Sequence, residues 1–187
     1  MNMALLAVMG MMLCGMTAVA QDAGANRVPK ILIVFFSKTN NTRTIAEQIH
    51  SRVGGDMFHV ATKKPYPQDY RETTRIARIE FDNNERPELA ATIAPEDMRA
   101  YDIIFFGYPN WWGTIPMAMF TFLEQFDWAG KTIIPFCTHG SGGLGRGPAD
   151  IGKLAPGATL RQGLAIQGNS ASRAQGEVDN WLRQLGF

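Results

Sequence analysis

Apolar residues in this chain fall into short unbroken blocks, with amphipathic stretches between them. Ile31–Phe36 (ILIVFF) is the first block, and its lack of alternation marks a strand buried on both faces. Thr42–Val53 then repeats Ile45, Ile49 and Val53 at spacing four and stops at Gly54-Gly55, the pattern of a helix. Met57–Ala61 reads as a second strand. Lys64-Pro65-Tyr66-Pro67 reads as a turn, with Asp69 placed to cap a helix into the eighties. Residues 83–95 read as loop, and Pro95–Met98 as a short helical turn. Ile103–Gly107 is a third strand, Pro116–Phe126 a helix with proline in its first turn, and Thr132–Cys137 a fourth strand. Pro148–Leu154 is a short helix and Thr159–Ile166 a fifth strand. Ala174, Val178, Trp181, Leu182 and Leu185 mark one face of a closing helix. Five strand–helix alternations predict an α/β fold with a parallel sheet between helical layers. Ligands of such sheets bind beyond the carboxyl ends of the strands, which directs attention to the loops after strands one, three and four.

Composition narrows this picture only slightly. The chain has 187 residues and a formal net charge of +1, with no basic run that would suggest nucleic acid. One domain of this size buries a core without disulfides or metals. Residues 1–20 carry no charge, are mostly apolar and end in Ala18-Val19-Ala20, a signal-peptidase pattern. They predict a signal peptide and a periplasmic or cell-envelope location. The alternative is a membrane anchor over residues 3–20. Residues 21–29 read as a linker and 30–187 as the domain. Removal of the signal would leave Cys137 as the sole cysteine, at the end of an apolar run and expected to be a buried, inert thiol.

The loop after the first strand is Ser37-Lys38-Thr39-Asn40-Asn41-Thr42. It opens onto a helix N-terminus, where unpaired N–H groups and the helix dipole favour an anion. One helix cap needs one such polar residue, and here there are five in six positions. The loop is neither a GK[ST] phosphate loop nor GxGxxG. After the third strand comes Tyr108-Pro109-Asn110-Trp111-Trp112-Gly113-Thr114, whose paired tryptophans suit a flat aromatic ligand or, alternatively, a hydrophobic plug or protein contact. After the fourth comes Thr138-His139-Gly140-Ser141-Gly142-Gly143, where glycines allow close backbone approach. His139 is a general base, a metal ligand or a structural hydrogen-bonder. The G-x-S-x-G pattern of a serine hydrolase is absent, because His stands at 139. A phosphate pocket, an aromatic wall and a polar rim together fit FMN.

The segments FFSKTNNT, YDIIFFGYPNWWGTIP, GKTIIPFCTHGSGGLG and PGATL, in this order, resemble the flavodoxins, in particular the bacterial flavodoxin-like subfamily with a Trp-Trp cofactor loop. The resemblance spans about Lys30 to Phe187. It implies a flavodoxin-like three-layer sandwich whose five-stranded parallel sheet runs in the order 2-1-3-4-5, with FMN at the carboxyl edge. By this resemblance Ser37, Thr39, Asn41 and Thr42 hold the phosphate, with Asn40 where the family usually has Gly. Pro109, Asn110, Trp111, Trp112 and Gly113 border the flavin ring. Thr138, His139, Gly140 and Gly142 line its other edge. The export signal is a second departure, since typical flavodoxins are cytoplasmic.

The expected role is electron carriage between a reductase and an acceptor protein, with the redox chemistry on the flavin. Two alternatives stand beside it: an NAD(P)H-dependent quinone or related FMN reductase, and an exported flavin-binding or scaffold protein without turnover. The loops 108–114 and 138–145 contain no Asp or Glu. A protonated His139 beside the flavin would favour negative charge there, so the expected potential is less negative than in flavodoxins ringed by carboxylates.

Overall fold

The computed structural model describes residues 27–187. The signal and most of the linker lie outside the described residues. Arg27 pairs with the Asp102 carboxylate, which also accepts the Lys30 N–H at 2.7 Å. No helix among the described residues is long and apolar enough to cross a membrane.

Strand β1 (Ile31–Phe36) leads into helix α1 (Asn41–Val53), β2 (Asp56–Val60) and α2 (Tyr70–Asp82). The chain continues through α3 (Pro95–Arg99), β3 (Ile103–Pro109), α4 (Met117–Leu123) and β4 (Thr132–His139). It closes with α5 (Gly147–Leu154), β5 (Thr159–Leu160), β6 (Leu164–Gln167), a 3-10 segment (Gly168–Arg173) and α6 (Gln175–Leu185). The strands are parallel, in the order β2-β1-β3-β4-β5, with β6 continuing the β5 edge along β4. This is the flavodoxin-like order.

Alternation along the pleat splits the core in two. Leu32, Val34 and Phe36 pack with Ile104, Phe106 and Tyr108 against α4, α5 and Trp128. Ile33, Phe35 and Phe105 pack on the opposite face against α1 and α6. All five apolar residues marked for the closing helix are buried on that face. Helix α2 is capped as expected, with Asp69 Oδ1 accepting the Glu72 N–H at 2.7 Å. Helix α4 ends at Leu123, short of the expected Phe126, because the Trp128 indole N–H donates to the Leu123 carbonyl at 2.7 Å and turns the chain inward.

The fifth strand is not one run. Ile133 pairs with Leu160 and Phe136 with Leu164, so one extra residue lies opposite β4 between these pairs. Pro135 sits at this bulge and has no N–H for the ladder. Gly163 approaches so closely that a Cβ there would lie 2.9 Å from the Pro135 carbonyl oxygen. Cys137 is buried, its thiol pushed up to about 12 by loss of solvent, so it is inert as expected.

Candidate functional site

Parallel strands bring their carboxyl ends to one edge, where a cavity of about 600 Å³ opens. Thr39, Asn41 and Thr42 line it from the β1–α1 turn, and Pro109, Asn110, Trp111 and Trp112 from the loop after β3. Thr138, His139 and Gly140 line it from the end of β4. Ser37, Asn40, Gly113 and Gly142, also singled out in the sequence, are not among the residues that line it.

At one end of the cavity α1 begins without a side-chain cap of its own. Asn40 takes a left-handed turn (φ 64°) that aims the following N–H groups outward, a conformation Asn tolerates where most residues do not. Ser37 Oγ accepts the Arg43 N–H at 3.2 Å and fixes the turn from behind. The Thr42 and Thr138 hydroxyls share a buried hydrogen bond of 2.7 Å that ties the β1 loop to β4. The Asn41 amide makes no hydrogen bond among the described residues. A Cβ on Gly168, at the start of the 3-10 segment, would come within 2.7 Å of its Nδ2 and push the amide aside.

The tryptophans take opposite roles. Trp111 and Thr114 close a tight turn through reciprocal backbone bonds of 2.9 and 3.1 Å. Trp112 (φ 53°) and Gly113 (φ 82°) occupy its two centres, as a type I′ turn requires. A bulky residue at the first centre is strained, a feature that gathers at binding sites. The turn sends Trp111 inward, edge-on to Phe36 and Tyr66 with centroids 5.2 and 5.0 Å away. It sends Trp112 outward, 44% exposed, held by its indole N–H to the Thr74 carbonyl at 3.2 Å and by Arg78 over its ring. Asn110 locks the two loops together: its Oδ1 accepts the Gly113 N–H at 3.0 Å and its Nδ2 donates to the Gly143 carbonyl at 2.9 Å.

His139 is half-buried, and its Nδ1 is shut off from solvent without a hydrogen-bond partner among the described residues. Closed to solvent, that nitrogen does not face the open cavity, and His139 meets the cavity through the rest of its ring. No Asp or Glu lines the cavity; Lys38 is its one Lys or Arg. Among the described residues there is no cluster of His, Cys, Asp or Glu fit to hold a metal ion.

One wall of the cavity carries no motif in the sequence. Tyr70, Thr73, Thr74 and Ala77 of α2 face the cavity, as do Lys38, Gly168 and Asn169. The small residues at 73, 74 and 77 form a flat stripe on one side of α2. That stripe was the available signal. Behind it, Tyr66 donates to the buried Glu80 carboxylate at 2.6 Å, so this wall rests on an ionisable pair. Loss of solvent raises the Glu80 pKa, opposed by the Tyr66 hydrogen bond and aided by Glu85. The native state therefore holds a proton that the unfolded chain releases, and stability falls as pH rises from the ordinary Glu range through the raised native value. Glu80→Gln keeps an acceptor for Tyr66. Thermal melts from pH 4 to 8 should show the variant losing this slope and melting above the parent at the alkaline end.

A parallel sheet in the order 2-1-3-4-5 between helices, with a cavity at its carboxyl edge, places the chain in the flavodoxin-like class. The chain belongs to the flavodoxin family, whose profile matches residues 30–185. It is similar to a Bacteroides uniformis protein assigned as a flavoprotein, at 28% identity and TM-score 0.73, over 84% of this chain and 99% of that one. A Bacteroides eggerthii protein with the same assignment is 28% identical at TM-score 0.72, over 84% and 98%. A Lactobacillus acidophilus flavoprotein, solved in complex with FMN, shares the fold at 23% identity and TM-score 0.62, over 82% and 99%. No curated protein matches the chain.

Proposed function

We propose that the chain binds FMN in this cavity and works as an exported electron carrier. The observation that carries the reading is the cavity itself: the start of α1 and Asn41 in its lining, Trp111 and Trp112 beside Thr138, His139 and Gly140, and no carboxylate among them. The residues present fit the group. The α1 N-terminus, Thr39, Asn41 and Lys38 would hold the phosphate, the tryptophan loop and Thr138–Gly140 the ring system. Bound FMN would supply one- and two-electron redox chemistry. The protein's own groups orient it and set the field around it. Membership of the flavodoxin family and the FMN complex of the Lactobacillus acidophilus relative support the reading. The apolar, charge-free residues 1–20 with Ala18-Val19-Ala20 support work outside the cytoplasm.

A carrier and an NAD(P)H reductase differ in one assay. The FMN-loaded carrier should leave NAD(P)H and a soluble quinone unreacted alone, and pass electrons to cytochrome c once a flavodoxin reductase is added. NAD(P)H oxidation by the loaded protein alone would overturn the carrier reading in favour of a reductase. The cavity has no carboxylate to repel charge gained on reduction. Redox titration should therefore give a second-electron potential less negative than that of carboxylate-ringed flavodoxins. A potential as low as theirs would contradict the electrostatic account.

A further inference from the structure

Seven large hydrophobic side chains are exposed among the described residues, and three of them, Tyr70, Ile79 and Trp112, meet on one patch. They line a shallow depression of about 410 Å³ together with Arg71, Arg75 and Arg78, and no carboxylate lines it. Tyr70 and Trp112 also line the large cavity, so the depression adjoins its mouth. Tryptophan, tyrosine and arginine are the residues that dominate protein-interface energetics.

The charges around the patch have a definite arrangement. Glu72 accepts from Arg75 at 2.6 and 2.9 Å, and Asp82 from Arg78 at 2.7 Å, both from outside the depression. Arg78 uses only its Nε–H in that pair, so its terminal amino groups keep donors for another carboxylate. Arg71 makes no ion pair among the described residues. Arg146 lies over the Phe81 ring, as Arg78 does, and is mostly exposed, while its partner Asp150 is mostly buried. The Arg75–Glu72 and Arg78–Asp82 pairs are exposed on both sides, and such pairs are weak and yield readily to a competing carboxylate.

We propose that this patch is the docking surface for an acidic redox protein, with an apolar side chain of the partner seated in the depression and its carboxylates on Arg71, Arg75 and Arg78. The proposal rests on the FMN reading. Electrons would enter or leave beside Trp112, where the flavin cavity opens.

The test uses FMN-loaded, chemically reduced protein in a stopped-flow mixer with two acceptors: the acidic soluble domain of cytochrome b5 and the basic cytochrome c. At low salt cytochrome b5 should be reduced faster, and its rate should fall about tenfold as salt rises from ~20 to ~300 mM. Arg71→Glu with Arg75→Glu should lower that rate about tenfold at low salt and flatten its salt dependence. FMN affinity and the reduction of a neutral soluble quinone should stay at the parental level. Faster reduction of cytochrome c at low salt, or a cytochrome b5 rate indifferent to salt, would overturn the proposal without needing the variant. Binding to anionic lipid vesicles with no preference for the acidic protein would also overturn it, assigning the patch to a membrane surface. Failure of the FMN reading would show separately, as a missing flavin spectrum before any acceptor is added.

Discussion

Asn41→Asp should cut FMN affinity about a hundredfold while leaving the fold intact or slightly more stable. The two side chains have the same shape, and Asn41 makes no hydrogen bond within the described residues that the change would break. A carboxylate in the first turn of α1 favours the helix through its dipole, by a few tenths of a kcal/mol. The same charge faces the cavity end proposed for the phosphate. Two like charges ~5 Å apart at an effective dielectric constant of about 20 repel by about 3 kcal/mol, which is about a hundredfold in Kd. Fluorescence titration with FMN, beside a thermal melt of the apoprotein, separates the two effects. Unchanged affinity would place the phosphate elsewhere.

The second large effect lies in the sheet beneath the site. Gly107 on β3 pairs in register with Phe35 on one side and Phe136 on the other. The Phe136 ring lies across it, and a Cβ there would sit 2.1 Å from Phe136 Cζ and 2.4 Å from Cε2. Neither partner can yield easily, because Phe136 is fully buried. Gly107→Ala should cost about 3 kcal/mol, at the upper end of overpacking penalties, and lower Tm by about 6–12 °C. Adding Phe136→Leu should recover part of the loss, since the two changes share one contact. Equal Tm values for parent and Gly107→Ala would show that the ring packs elsewhere.

The sheet was legible in the sequence because it is buried on both faces. Ile31–Phe36, Ile103–Gly107 and Ile133–Cys137 are apolar without interruption, and all three lie in central strands. The three site loops followed from their place after those strands. Other features depend on contacts distant in sequence. The break in the fifth strand is caused by Pro135, which belongs to its neighbour. The end of α4 is set by Trp128, five residues beyond Leu123. The α2 wall was hidden because Thr73, Thr74 and Ala77 show no chemistry of their own; they matter by being small beside a cavity. The opposite fates of Trp111 and Trp112 depend on a turn with two positive φ angles, which a Trp at its first centre does not advertise.

The central claim is that this cavity holds FMN, and its most direct test is the visible absorption spectrum of the chain purified from Gln21 onward, with and without added FMN. The account predicts a yellow protein that retains stoichiometric flavin through desalting and releases it as FMN on denaturation. A colourless protein that fails to retain FMN at excess would contradict it, leaving a flavodoxin fold without its cofactor.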